Sequence, residues 1–125
     1  MNRLTELIYS GASADIYVFK RRNGISPALE FLDSLNPSDN KKVIRLLKFF
    51  GDAGQIKNTE KFRLEKKPFF AFKSFQARLL CFFVPDAPRI SIVITHGFTK
   101  KQDKLPSIEL ERANEIYKLI TANQE

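Results

Sequence analysis

Phe69-Phe70-Ala71-Phe72-Lys73-Ser74-Phe75, then Gln76-Ala77, then Arg78-Leu79-Leu80-Cys81-Phe82-Phe83-Val84, is the stretch on which the fold turns. Two strand-length runs rich in aromatic and branched residues are parted by a two-residue gap, which is the pattern of a β-hairpin. Such a hairpin sets Lys73 and Arg78 close together across its turn. On its C-terminal side, Pro85-Asp86-Ala87-Pro88 is a strong turn signal. It predicts that Arg89–Thr95 returns as an antiparallel neighbour of Arg78–Val84. On its N-terminal side, Phe62–Lys66 reads as another short strand. Four extended segments in succession therefore make up the centre of the chain.

Upstream, the period changes to helical. Ser26-Pro27 is a helix start: the Ser hydroxyl can cap free backbone N–H groups, and Pro at the first helical position loses no hydrogen bond. Leu29, Leu32 and Leu35, with Ala28 and Phe31, supply that helix's apolar face. Asn36-Pro37, with Asp39 in the first turn, starts a second helix in the same way. Its Val43, Leu46, Leu47 and Phe50 fall at i, i+3, i+4 and i+7, and Gly51 or Gly54 ends it. So short a link predicts a helical hairpin. Before it, Ile16–Phe19 reads as a strand closed by the turn Lys20–Gly24. The first fifteen residues are weakly patterned, an N-terminal extension in the form of a short helix or a loose arm. A last helix is predicted from near Pro106, with Ala113, Ile116, Tyr117 and Ile120 as its stripe.

The reading is one α+β domain over residues 1–125, in the order β-α-α-β-β-β-α with room for one further short strand. The helical hairpin and the C-terminal helix are expected to form one layer on a mainly antiparallel, twisted sheet, leaving the other sheet face open.

Composition agrees with one globular core: 125 residues, 43% hydrophobic and 28% charged, with 12 Phe and no Trp. The longest apolar runs are far too short for a bilayer, and Met1–Ser10 lacks the continuous apolar segment of a signal peptide. The lone Cys81 permits no internal disulfide and reads as a buried hydrophobe. A cytoplasmic protein is expected, with no membrane association. Net charge is +7, and it is unevenly spread. Residues 1–56 carry eight Lys or Arg against six Asp or Glu, residues 57–104 eleven against four, and residues 105–125 two against four. A concentrated excess points to a polyanionic partner, nucleic acid before an acidic protein. One His and one Cys fifteen residues apart do not make a zinc site. No Gly-rich phosphate loop and no Ser/His/Asp motif is present, so no metal or small-molecule cofactor is expected.

Three stretches in this order resemble the RelE/ParE toxin superfamily, and within it the HigB-like, phage-derived branch. They are Gly24-Ile25-Ser26-Pro27-Ala28-Leu29-Glu30-Phe31-Leu32-Asp33-Ser34-Leu35, then Lys73-Ser74-Phe75-Gln76-Ala77-Arg78-Leu79-Leu80, then His96-Gly97-Phe98-Thr99-Lys100-Lys101 followed by Lys104, Pro106 and Ala113. The resemblance implies a toxin of a type II toxin–antitoxin system: a metal-independent endoribonuclease that cleaves mRNA on the ribosome. It implies a cognate antitoxin as partner, of helix-turn-helix type in this branch. It leaves open a ParE-like gyrase inhibitor, and a non-catalytic basic module that binds nucleic acid or antitoxin.

Metal-free RNA cleavage uses the RNA's own 2′-hydroxyl, so the protein must neutralise the charge growing on phosphorus and move protons. Fixed cations serve that purpose, and a guanidinium can hold two phosphate oxygens at once. Arg78 matches the superfamily's phosphate-contacting arginine; the alternative is a strand Arg paired with Glu65 or Asp86. Lys73 is expected as a second phosphate contact, or as an acid or base. His96, the only histidine, is the remaining acid–base candidate; its alternative is a structural hydrogen bond. Lys66, Lys67, Lys100, Lys101 and Lys104 are expected to grip RNA, with Lys61 and Arg63 extending the basic face. Phe69 and Ala71 stand where RelE carries lysines, which removes a two-lysine base. Phe75 and Phe98, beside turns, are the candidates for stacking on a base; the other phenylalanines and Tyr117 read as core.

Overall fold

A computed structural model describes residues 3–101 and 104–122. Within them the order is β1 (Thr5–Ser10), β2 (Ala14–Phe19), α1 (Pro27–Ser34), α2 (Pro37–Ala53), β3 (Phe62–Lys66), β4 (Phe69–Ser74), β5 (Ala77–Phe83), β6 (Ile90–Thr99) and α3 (Ser107–Ala122). The α+β class holds, but the element order does not: two strands precede the helices and four follow them. The first of these replaces the expected N-terminal helix or arm. Thr5–Ser10 pairs antiparallel with β2, and Gly11 turns the chain so tightly against Gly51 of α2 that a Cβ there would strike its carbonyl. Tyr9 fastens the hairpin by donating from its hydroxyl to Asp52 at 2.7 Å.

Local chemistry sets the helix ends as expected. Ser26 Oγ accepts from Leu29 N–H and Asn36 Oδ1 from Asp39 N–H, with Pro27 and Pro37 at the first helical positions. Gly54, at φ 80°, closes α2 with its N–H on Phe50 O.

The strands form one sheet in the order β1-β2-β6-β5-β4-β3. β2 and β6 run parallel, and every other neighbouring pair is antiparallel. The sheet is covered on both faces, which corrects the expectation of one helical layer. On one face Ile16, Val18, Phe72, Leu79, Ile92 and Ile94 meet Leu32 of α1 and Val43, Leu47 and Phe50 of α2. On the other, Phe19, Phe69, Leu80, Phe82 and Val93 meet Ala113, Ile116 and Ile120 of α3. Tyr117 packs edge-on against Phe69 and Phe82 there.

A β-bulge in β6 decides which residues reach the α3 face. Leu80 lies opposite His96 and Cys81 opposite Ile94, so Thr95 is an extra residue. Before it, Ile92 and Ile94 face α1 and α2. After it the alternation is reversed: Phe98 joins the α3 cluster and Gly97 lies against Phe31 of α1.

Candidate phosphate-binding face

The β4–β5 hairpin carries the site. Lys73 lies directly opposite Arg78, and Ser74 opposite Ala77, so the loop is Phe75-Gln76. Alternation along β4 and β5 puts Lys73 with Phe69 and Ala71, and Arg78 with Leu80 and Phe82. Both cations therefore emerge on the α3 face, at the end where the apolar cover stops. Arg63, opposite Ala71 on β3, joins the same face. Lys100 follows β6 and is held to the turn by its backbone N–H on Gln76 O at 2.8 Å.

Arg78 is tied into the turn it serves. Its Nη1 donates to Phe75 O at 2.6 Å and to Ala77 O at 2.9 Å. Its Nε is buried and has no hydrogen-bond partner among the described residues. Among the described residues no carboxylate forms an ion pair with it: Glu65, one of the sequence alternatives, forms its ion pair with Arg63 at 3.5 Å. Burial lowers the Lys73 pKa, the nearby Arg63 and Arg78 charges lower it further, Glu65 opposes them, and Lys100 adds a little more. Arg78 is also lowered, first by burial, yet a guanidinium remains charged.

Phe75 caps the hairpin with φ 55° and 83% of its surface exposed. A non-glycine residue in left-handed backbone with its ring in water gains little stability from either.

The remaining residues singled out from sequence divide. Lys66 and Lys67 sit at the other end of β4, roughly 17 Å away along a strand of that length. There they line a shallow cavity with Phe69, Leu110, Glu111 and Asn114, not the Arg78 cluster. Lys101 and Lys104 are exposed. His96 is 1% exposed, with Nε2 3.0 Å from Glu109 Oε1 and Nδ1 3.0 Å from Thr95 Oγ1. Burial pulls its pKa down, Glu109 pulls it up by hydrogen bond and charge, and Arg112 pulls it down. The ring is thus a buried strut between β6 and α3. Phe98 is buried against it, ring centroids 5.8 Å apart, and so is not a stacking surface. Sequence reasoning gave Glu65 no part in the site except as a partner for Arg78; its value lies in holding Arg63 beside Lys73.

Among the described residues no group of three or more His, Cys, Asp or Glu is placed to hold a metal ion. Burial pushes the Cys81 thiol up, away from reactivity. No helix there is long and apolar enough to cross a membrane.

Comparison with protein families finds a match over residues 30–118 to the family described as phage-derived protein Gp49-like (DUF891). No curated protein matches the chain.

Proposed function

The chain belongs to the phage-derived Gp49-like family, and from that premise we propose that it is the toxin of a type II toxin–antitoxin pair, cutting mRNA without a metal ion. The observation that carries this reading is the Lys73–Arg78 pair at an open hairpin end, with Arg63 and Lys100 beside it. Four cations gathered on one face, one of them an arginine anchored to the turn carbonyls, suit the holding of a phosphodiester. The likeness to RelE/ParE toxins supports the same reading, with the ribosomal A site as the place of cleavage and a helix-turn-helix antitoxin as the partner.

In the proposed reaction the RNA 2′-oxygen attacks phosphorus, its proton passing to water. The bond to the 5′-oxygen breaks, leaving a 2′,3′-cyclic phosphate and a 5′-hydroxyl. Arg78 neutralises the equatorial oxygens. Lys73 donates a proton to the leaving oxygen, a task that a lowered pKa makes easier. Phe75 offers its open ring to a flanking base.

Induced expression in a bacterium tests this. Wild type should rapidly deplete full-length mRNA while DNA topology is preserved. Arg78→Ala should slow cleavage by about 10²–10³-fold, the usual effect of removing one preorganised charge donor. Because Arg78 also holds the Phe75 and Ala77 carbonyls, Lys73→Ala serves as a second variant that leaves those bonds intact. DNA damage with intact mRNA would overturn the reading in favour of gyrase poisoning, and no growth effect at verified expression would reduce the protein to a binding module.

A further inference from the structure

A second cationic groove lies on the other side of the sheet's β3–β4 edge, against α2. Lys42, Arg45, Leu46 and Phe49 follow one stripe of that helix at i, i+3, i+4 and i+7. The facing wall is the 54–61 connection, through Ile56, Lys57 and Lys61, with Ser74 of β4 at the end. The cleft measures about 510 Å³.

Its composition is not what stability would choose. Among the described residues four cations line it and no carboxylate does. None of the four forms an ion pair among the described residues. Between them Phe49 leaves 57% of its surface in water, over a half-buried floor of Leu46 and Ile56. An exposed ring amid mutually repelling charges suits a ligand with flat apolar parts joined by anionic links, which is single-stranded nucleic acid. The size points the same way. The cleft falls within the ~300–1,000 Å³ of small-ligand sites, room for one or two nucleotides. A protein partner would need on the order of 800 Å² per side.

The groove also meets the site described above. β3 begins at Phe62, so beyond it the β4 edge is covered only by Lys61, whose carbonyl accepts from Lys73 N–H at 2.8 Å. Ser74 lines the groove, and its chain neighbour Lys73 faces the phosphate site. A strand leaving Arg78 can round this short rim over Lys61.

We propose that this groove is a second nucleotide subsite: it seats an unpaired base on Phe49 and the adjoining phosphates on Lys42, Arg45, Lys57 and Lys61, on the same RNA strand whose scissile phosphate lies at Arg78. It rests on the RNA-cleaving reading above.

Fluorescence anisotropy with a 2′-O-methyl oligouridylate 12-mer, which cannot be cleaved, and with an abasic 12-mer tests it. Phe49→Ala should weaken the uridylate by about ten-fold, within the usual worth of one stacked base, and leave the abasic strand unchanged. Lys42→Glu with Arg45→Glu should weaken both strands and reduce the slope of log affinity against log salt by about two. The control pair Lys41→Glu with Lys48→Glu carries the same net charge change on exposed positions of α2 outside the groove, and should do clearly less. All these side chains are exposed, and thermal melting will show whether the fold is kept. If wild type binds and Arg78→Ala weakens it, while the groove variants behave like the control, the subsite is refuted and the cleavage reading stands. If wild type binds neither strand, the subsite is refuted, and the cleavage reading, set on the ribosome, is judged by mRNA depletion alone. If the groove variants keep RNA but lose an acidic amphipathic peptide of Glu and Leu, the groove is a protein site and the proposal is overturned.

Discussion

Replacing Phe75 separately by Gly and by Ala separates what its backbone costs from what its ring contributes. At φ 55° a residue bearing Cβ is strained by roughly 1–2 kcal/mol. Glycine escapes that strain but loses about 0.5–1 kcal/mol in chain entropy, so Gly should be the more stable of the two variants by about 0.5–1 kcal/mol. Loss of the ring affects both alike. With 83% of the residue exposed, roughly a sixth of a ~200 Å² side chain is covered, worth just under ~1 kcal/mol at ~25 cal/mol per Å². Phe75→Ala should therefore fall below wild type by that amount, and Phe75→Gly should lie near it. Urea denaturation followed by circular dichroism reads the difference as a midpoint gap of roughly 0.3–0.5 M, for an m-value of about 1.5–2 kcal/mol/M. Both variants should lose RNA affinity equally, since both lack the ring. An Ala variant as stable as the Gly variant would refute the strain argument. A Gly variant with undiminished RNA affinity would remove the ring from the site.

Two further outcomes follow from the interior. His96 is held neutral by burial in the native state, whereas in the unfolded chain it takes a proton near pH ~6.5. Stability should thus be complete above about pH 6.5 and fall as pH drops below it towards the folded value, by up to ~1.4 kcal/mol per pH unit. As the only histidine, it should account for this slope between pH 7.5 and 5.5, so His96→Gln should flatten it in urea titrations; an unchanged slope would contradict the assignment. Gly97→Ala would drive a methyl into the Phe31 ring and Leu79 Cδ2, and should cost about 1–3 kcal/mol as an overpacked core does. A melting temperature equal to wild type would show that α1 gives way freely.

Sequence reading located what local chemistry determines. The Ser26-Pro27 and Asn36-Pro37 caps and the Lys73–Arg78 proximity depend on neighbours in the chain, and each is where the residues placed it. β1 was missed because Thr5–Ser10 mixes Thr, Glu and Ser with its apolar residues and slips register between Leu7 and Tyr9. Its strand character is supplied by the partner across Gly11. The face taken by α3 was missed for a different reason: an amphipathic stripe says that a helix packs, not against what. A signal was nonetheless there. Phe69–Phe72, Leu79–Phe83 and Ile92–Ile94 are unbroken apolar runs, and a strand apolar on both sides is one buried on both sides. The fate of His96 was hidden by the Thr95 bulge, for without that extra residue the alternation from Ile92 and Ile94 would send His96 toward α1 and α2.

The parallel pairing of β2 with β6 joins Ala14 to Ile90 and Val18 to Ile94, so β6 is the single plank between an N-terminal hairpin and a three-strand block. A chain that stops short of residue 90 would contain both halves and nothing to bridge them. Each would present a bare row of backbone donors and acceptors, on β2 and on β5, open to neighbouring chains. Completion of the sheet therefore waits for the tenth decade of residues, and prematurely terminated fragments should clump rather than act.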